Sequence, residues 1–229
     1  MCPQSIGNAI CNSAKLIKQI GQETDSLFEL IQNRFNTTLF DSEEKTGIKI
    51  VQGWGYDSFH KKNDWLLNEY AYTLGIAKRK DVIPSFLWIQ LSLLGDENEF
   101  EEMKVNEPLV HICFLGHDLS YSDETYININ DINDPDYINE YPIALDHDFF
   151  WHWVNEKNAD PLKQEWYYSL KLTSLNSVDD VEQKIINPVK SLLLATNASE
   201  KDNAIQKLSN LDGILRYKKV DEKYVAENG

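Results

Sequence analysis

One short apolar run in the middle of the chain constrains the fold more than any other feature. Residues 109–115 read Leu-Val-His-Ile-Cys-Phe-Leu, and they are bounded by Pro108 and Gly116. An apolar run of this length between residues that interrupt regular structure is typical of a strand buried on both faces. We therefore expect a central strand here, within a larger sheet.

Three further segments have the composition and periodicity of strands. The pattern predicts strands over residues 48–54, 65–77 and 86–94, and the polar tip at residues 78–81 joins the last two into an antiparallel hairpin. A helix is the alternative for residues 65–77, because apolar positions there also recur at intervals of three and four. The Tyr, Thr and Gly content of that segment favours the strand.

The most regular alternation in the chain lies at residues 165–172. Trp166 and Leu170 are among the residues predicted to face the core, and Tyr167 and Ser169 are among those predicted to face solvent. The pattern therefore predicts a strand that is covered on one face only.

Helical periodicity occurs near both ends of the chain. Apolar residues recur about every 3.6 positions over residues 10–39, where Gly21 suggests a break, and over residues 178–195, where Pro188 predicts a kink. A last helix is expected from Ser199 to about Leu211.

The order of helix, strands and helices, without regular alternation, is typical of the α+β class. We predict a single α+β domain over residues 1–229, with a mainly antiparallel sheet of about five strands and with an N-terminal helix and C-terminal helices beside it. Residues 214–220 are expected to form a final edge strand, and the tail after them is expected to fray.

The acidity of the chain is concentrated in a long insertion at about residues 96–148, called the acidic segment below. It contains fifteen Asp and Glu residues and one Lys, which gives −14 out of a net charge of −15 for the whole chain. This charge disfavours loose binding to nucleic acid or to anionic membranes, and it favours attraction to basic partners. We predict no direct nucleic-acid binding and no membrane association.

Tyrosines lie between these acids, and they could anchor a partner in a way that a purely solubilising loop does not require. A solvated loop that only keeps the protein soluble stays open as the alternative. Our first interpretation is a non-catalytic acidic binding protein: an inhibitor, an immunity protein or a regulatory partner of a basic protein, for which a protein that binds nucleic acid is one candidate. The residues predicted to form its surface are Asp118, Asp123, Glu124, Tyr126, Asp131, Asp134, Asp136, Tyr137 and Glu140.

A second hypothesis is a metal-dependent hydrolase or nuclease. Its centre would be Asp146, His147, Asp148 and His152, because imidazole and carboxylate groups together bind zinc or manganese. Their spacing does not place two ligands on one helix face, so histidines that merely pack beside aromatic residues are the alternative. No phosphate-binding loop and no nucleophile motif is present, and we expect no cofactor.

The cysteines and the N-terminus bear on the compartment. Cys2, Cys11 and Cys113 form an odd set without a Cys-x-x-Cys pair, which is typical of reduced thiols. The chain begins without the basic and apolar regions of a signal peptide, so we predict a cytoplasmic protein. A third hypothesis is a structural subunit of a larger assembly that makes its contacts through exposed aromatic residues.

Overall fold

The computed structural model describes residues 3–40, 46–59, 69–78, 84–94, 105, 107–116, 132–140, 142–154, 164–221 and 223–227. The strands are β1 Ile48–Phe59, β2 Glu69–Lys78, β3 Ser85–Ser92, β4 Leu109–Leu115, β5 Ile143–Asp146, β6 Phe150–Trp153, β7 Trp166–Lys171, β8 Tyr217–Val220 and β9 Lys223–Ala226. The α-helices are α1 Pro3–Phe35, α2 Pro135–Glu140, α3 Val178–Val181, α4 Asn187–Leu194 and α5 Ala198–Ser209, and π-helical turns occur at Asn36–Phe40 and Glu182–Ile186. The α+β class is therefore confirmed.

Strands β1 to β7 form one antiparallel sheet in the order β1-β2-β3-β4-β7-β6-β5. All seven residues of β4 are buried, and β4 is the fourth strand, so the predicted central strand is confirmed. The predicted hairpin of β2 and β3 is confirmed as well. The prediction of about five strands was too low, because β5 and β6 have four residues each and are too short to show a clear period.

Helices cover one face of this sheet. The ring of Phe28 lies 4.1 Å from that of Tyr72 on β2, and the ring of Phe35 lies 6.3 Å from that of Trp54 on β1. The α4 and α5 helices bury Val189 and other apolar residues in the same cluster. The same cluster contains Trp166 and Leu170 of β7, which were predicted to face the core.

The opposite face carries a second apolar cluster, and this finding corrects the prediction for residues 165–172. Tyr167 and Ser169, which were expected to face solvent, are 1% and 0% exposed. The two-stranded β8–β9 sheet belongs to the cluster that covers them, and the N–H of Leu215 donates to the carbonyl of Ser169 at 2.9 Å. Residues 223–227, expected to fray, are ordered as β9 and the residue after it, because this cluster provides apolar surface for the hairpin.

The predicted break of α1 at Gly21 was wrong, since the helix is continuous from Pro3 to Phe35. One glycine costs a helix only about 1 kcal/mol relative to alanine, which the flanking turns outweigh. Pro188 lies inside the continuous helical run from Val178 to Leu194 and directly follows a π-helical turn, which is the local irregularity found at the predicted kink. None of the helices in the described ranges is both long enough and apolar enough to cross a membrane.

Candidate functional site

The β5–β6 hairpin places Asp146 beside His152. The Nδ1 atom of His152 lies 3.3 Å from a carboxylate oxygen of Asp146. Partial burial lowers the pKa of His152, and the opposing effect of the Asp146 carboxylate does not reverse this shift. The imidazole is therefore mainly neutral near pH 7. A neutral imidazole and a carboxylate can both serve as ligands of a divalent metal ion.

The turn of this hairpin uses Asp148 for a structural purpose. His147 and Asp148 have φ angles of 52° and 63°, a left-handed conformation that Asp and His tolerate better than most residues. An oxygen of the Asp148 carboxylate accepts a hydrogen bond from Arg216 at 2.5 Å. The Asp148 carbonyl also accepts one from the N–H of Tyr217 at 2.6 Å. Asp148 therefore ties the hairpin to β8.

The predicted four-residue metal centre comes together only in part. Asp146 and His152 are in contact, whereas Asp148 pairs with Arg216 and His147 is exposed on the turn. Catalytic zinc centres use three protein ligands. In the described ranges, no group of three or more His, Cys, Asp or Glu residues could hold a metal ion. The hairpin thus brings together two of the four predicted metal ligands.

The acidic segment includes β4, α2 and β5, and two of its residues outside these elements pack on the sheet face that carries β8 and β9. Val105 and Ile132 are 1% and 3% exposed, and both belong to the second apolar cluster. The side-chain Nδ2 of Asn133 donates to the carbonyl of Tyr224 at 2.8 Å, and the N–H of Tyr224 donates to Oδ1 of Asn133 at 2.7 Å. Val105 before β4 and Ile132 after it therefore pack on the same face of the sheet.

Some acids of this segment have partners within the chain. Glu107 pairs with Lys171 at 2.7 Å, and Oδ1 of Asp134 accepts the backbone N–H of Asp136 at 2.9 Å. Asp136 itself is exposed in the first turn of α2. Outside the described residues lie Asp118, Asp123, Glu124, Tyr126 and Asp131, together with the side chains of Tyr137 and Glu140.

A row of buried polar side chains crosses the sheet beneath the second cluster. Gln90 on β3 lies opposite His111 on β4, and His111 lies opposite Ser169 on β7. The Nδ1 atom of His111 is 2.8 Å from Oγ of Ser169, and burial lowers the pKa of His111 to about 4.

The pair of His111 and Ser169 resembles an activated nucleophile in its chemistry, since a neutral imidazole can take a hydroxyl proton. The two residues are only 2% and 0% exposed, however, so a substrate has no access to them. They act as a hydrogen-bonded part of the core. The row was not predicted, because alternation gives the face of each residue, whereas the register between strands brings the three side chains together.

The first half of α1, defined here as residues 6–22, exposes several large apolar side chains. Its large apolar side chains include Ile6, Ile10, Leu16 and Ile17, which are 50%, 65%, 59% and 40% exposed. Residues 6–19 are exposed throughout, whereas Thr24 and Phe28 are buried. The sequence predicted this helix, but it did not predict that its first half would leave the core.

Comparison with protein-family profiles, with curated proteins and with solved structures finds no match for this chain.

Proposed function

We propose that this protein is a non-catalytic binding protein that engages a basic protein through the acidic segment. The observation that carries the proposal is the attachment of this segment at Val105 and Ile132 to one apolar cluster. The segment holds −14 of charge within 53 residues. A concentration of acids in one stretch of the chain attracts cations from a distance, which favours a basic partner.

The chemistry of the segment indicates what kind of partner it would take. Carboxylates bind Lys and Arg, and Tyr126 and Tyr137 add apolar contact area, which suits the centre of a protein interface. Proteins that bind nucleic acid expose basic patches, so they are the partner class that fits best. The protein would then act as an inhibitor, an immunity protein or a regulator by occupying such a patch.

The test is affinity capture followed by reconstitution. The full chain captures proteins from its own cell lysate at low salt, and the captured protein is then purified and its affinity measured. We expect neutralisation of Asp118, Asp123, Glu124 and Asp131 to amide residues to weaken binding at least tenfold. The affinity should also fall steeply with added salt, because screening shortens the range of the interaction.

A matched control separates a local surface from bulk charge. Glu29, Asp202, Asp221 and Glu227 are exposed acids outside the segment, and their neutralisation changes the net charge by the same amount. The control variant should bind as the wild type does. Equal loss in both variants, or binding that ignores salt, contradicts the proposal.

The contact of Asp146 with His152 favours a second candidate, the metal-dependent hydrolase. If a metal occupies this hairpin, the purified chain contains zinc or manganese, and His152→Ala removes it. His147→Ala serves as the control, because His147 is exposed on the adjacent turn. A metal content that is zero, or that neither substitution changes, excludes the hairpin as a metal site.

A further inference from the structure

In the second half of α1, residues 24–35, one line of side chains packs on the sheet. The first half continues this line, which is called the stripe below. Small or apolar residues recur along the whole helix at alternating intervals of three and four. The positions are Gly7, Ile10, Ala14, Ile17, Gly21, Thr24, Phe28, Ile31 and Phe35. From Thr24 onward they are 0–5% exposed, whereas Ile10 and Ile17 are 65% and 40% exposed. This seven-residue repeat is the pattern by which two helices pair.

Among the described residues, Gly7 and Gly21 have no close packing neighbour that would require a glycine. Glycine is among the poorest helix formers, and a Cβ atom at either position would meet nothing within 4 Å. The backbone at these positions is therefore open to close approach from outside. Together with Ala14, the two glycines form three recesses on the stripe, and Ile10 and Ile17 project between them.

We propose that the first half of α1 pairs in antiparallel orientation with the same segment of a second copy of this chain. In one register, Ile10 lies opposite Gly21 of the second copy and Ala14 lies opposite Ile17. Each isoleucine then fills the recess above a small residue. The surface is self-complementary, as a two-fold dimer requires. The same register brings Ile6 close to Leu27 at the base of the other helix.

Charge selects the antiparallel orientation. Residues 3–22 contain Lys15 and Lys18 and no acid, so the rest of the chain carries −17, from −15 less +2. A parallel pair of helices would place the remaining parts of the two chains, each with this negative charge, side by side. In the antiparallel pair the two copies of Thr24 are about 17 positions apart along the axis, or roughly 25 Å. That separation exceeds the Debye length of about 8 Å at physiological salt, so repulsion between the remaining parts of the two chains is screened.

The same charge disfavours an anionic membrane as the occupant of this face. A body of charge −17 would be repelled by an anionic bilayer, and two lysines offset little of that repulsion. The proposed dimer does not depend on the proposed function, because its contacts come from α1 alone.

Sedimentation equilibrium of the full chain tests the association. We expect a reversible monomer–dimer equilibrium between low micromolar and several hundred micromolar protein. Gly21→Leu should weaken the dimer at least tenfold by filling a recess, although leucine is the better helix former. Leu16→Ser is the matched control, because Leu16 is exposed but lies off the stripe. A wild type that stays monomeric throughout, or a Gly21→Leu variant that dimerises as well as the wild type, overturns the proposal.

Cysteine cross-linking tests the orientation, in a Cys2→Ser background. In the proposed register residue 18 lies beside Cys11 of the second copy, so Lys18→Cys should give a disulfide-linked dimer after mild oxidation. Cys11 alone should not, because its two copies are about nine positions apart, or roughly 13 Å, beyond the span of a disulfide. The cross-link should disappear when Cys11→Ser is added.

Two outcomes would overturn this arrangement. One is a Lys18→Cys variant that dimerises without cross-linking, since that excludes the proposed register. The other is a chain that remains monomeric and binds vesicles of anionic lipid, since that would assign the exposed face to a membrane surface.

Discussion

The two halves of α1 share one sequence pattern and differ in their surroundings. Ile31 in the second half is 0% exposed against the sheet, whereas Ile10, on the same stripe, is 65% exposed. Periodicity therefore indicates which face of a helix is apolar, but it does not indicate what covers that face. For the second half the answer lies within the chain, and for the first half we infer a second copy.

The largest expected contrast comes from one substitution made in each half. Ile31→Ala should reduce the free energy of unfolding by about 2–5 kcal/mol, because it leaves a cavity in the core. Ile17→Ala should reduce it by less than about 0.5 kcal/mol when the chain is dilute and monomeric. Urea denaturation at low protein concentration measures both. Equal losses would mean that the first half of α1 packs against the rest of its own chain in solution. That result would contradict the difference in exposure between the two halves.

The first half of α1 and the rest of the chain should also differ in their response to pH. The rest of the chain contains the buried imidazole of His111, whereas the first half of α1 contains no histidine. Burial lowers the pKa of His111 to about 4 in the folded state, against about 6.5 when unfolded. Between these values the unfolded state binds the proton and the folded state does not. Stability that is complete above pH 6.5 should therefore fall by about 3 kcal/mol as the pH approaches 4.

Urea denaturation at several pH values checks this expectation. His111→Gln should remove the part of the pH dependence that falls between pH 6.5 and 4, whereas His147→Asn, on the exposed turn, should leave it unchanged. If the stability of His111→Gln depends on pH as that of the wild type does, His111 is not the source of the pH dependence. Exchange of the amides in the first half of α1 should not follow this titration.

A smaller effect concerns the π-helical turn Glu182–Ile186, which faces the second half of α1. The hydroxyl of Tyr168 donates to the carbonyl of Lys184 in this turn at 3.0 Å. Tyr168→Phe leaves that buried acceptor without its donor, so it should cost about 1–2 kcal/mol. Tyr56→Phe is the control, since Tyr56 is 53% exposed, and its thermal midpoint should match the wild type. Equal shifts for both variants would argue against a structural role for this turn.

The smallest expected effect is electrostatic. Nε of Arg34, in the second half of α1, lies 3.1 Å from a carboxylate oxygen of Glu182. Pairs that remain partly exposed contribute at most about 1 kcal/mol. Arg34→Ala should therefore lower stability by less than that, and the difference should shrink in 1 M salt as screening increases. A loss of several kcal/mol would show that this ion pair, rather than the apolar stripe, holds α1 on the sheet.

The fold was predictable where a pattern reports burial directly. The apolar run of β4 gave a central strand with the correct bounds, because a strand buried on both faces must be apolar throughout. The helix over residues 178–195 begins at Val178, after Ser177 as the N-cap, for similarly local reasons. These features depend on neighbouring residues alone.

Features that depend on partners distant in sequence were not predictable. The burial of Ser169 depends on the β8–β9 hairpin, and its contact with His111 depends on the register of β4 and β7. The separation of Asp148 from Asp146 depends on Arg216, which is 68 residues away in sequence. The surface proposed for binding lies mostly outside the described residues, so its acids stay a prediction from composition.

Hydrogen exchange measured at two protein concentrations tests the comparison between the halves of α1 most directly. We predict that amides of residues 24–35 are equally protected at both concentrations, because their cover is the sheet of their own chain. Amides of residues 6–22 should exchange rapidly when the protein is dilute and should become protected when it is concentrated. Strong protection of residues 6–22 in dilute protein, or no gain on concentration, would contradict the account.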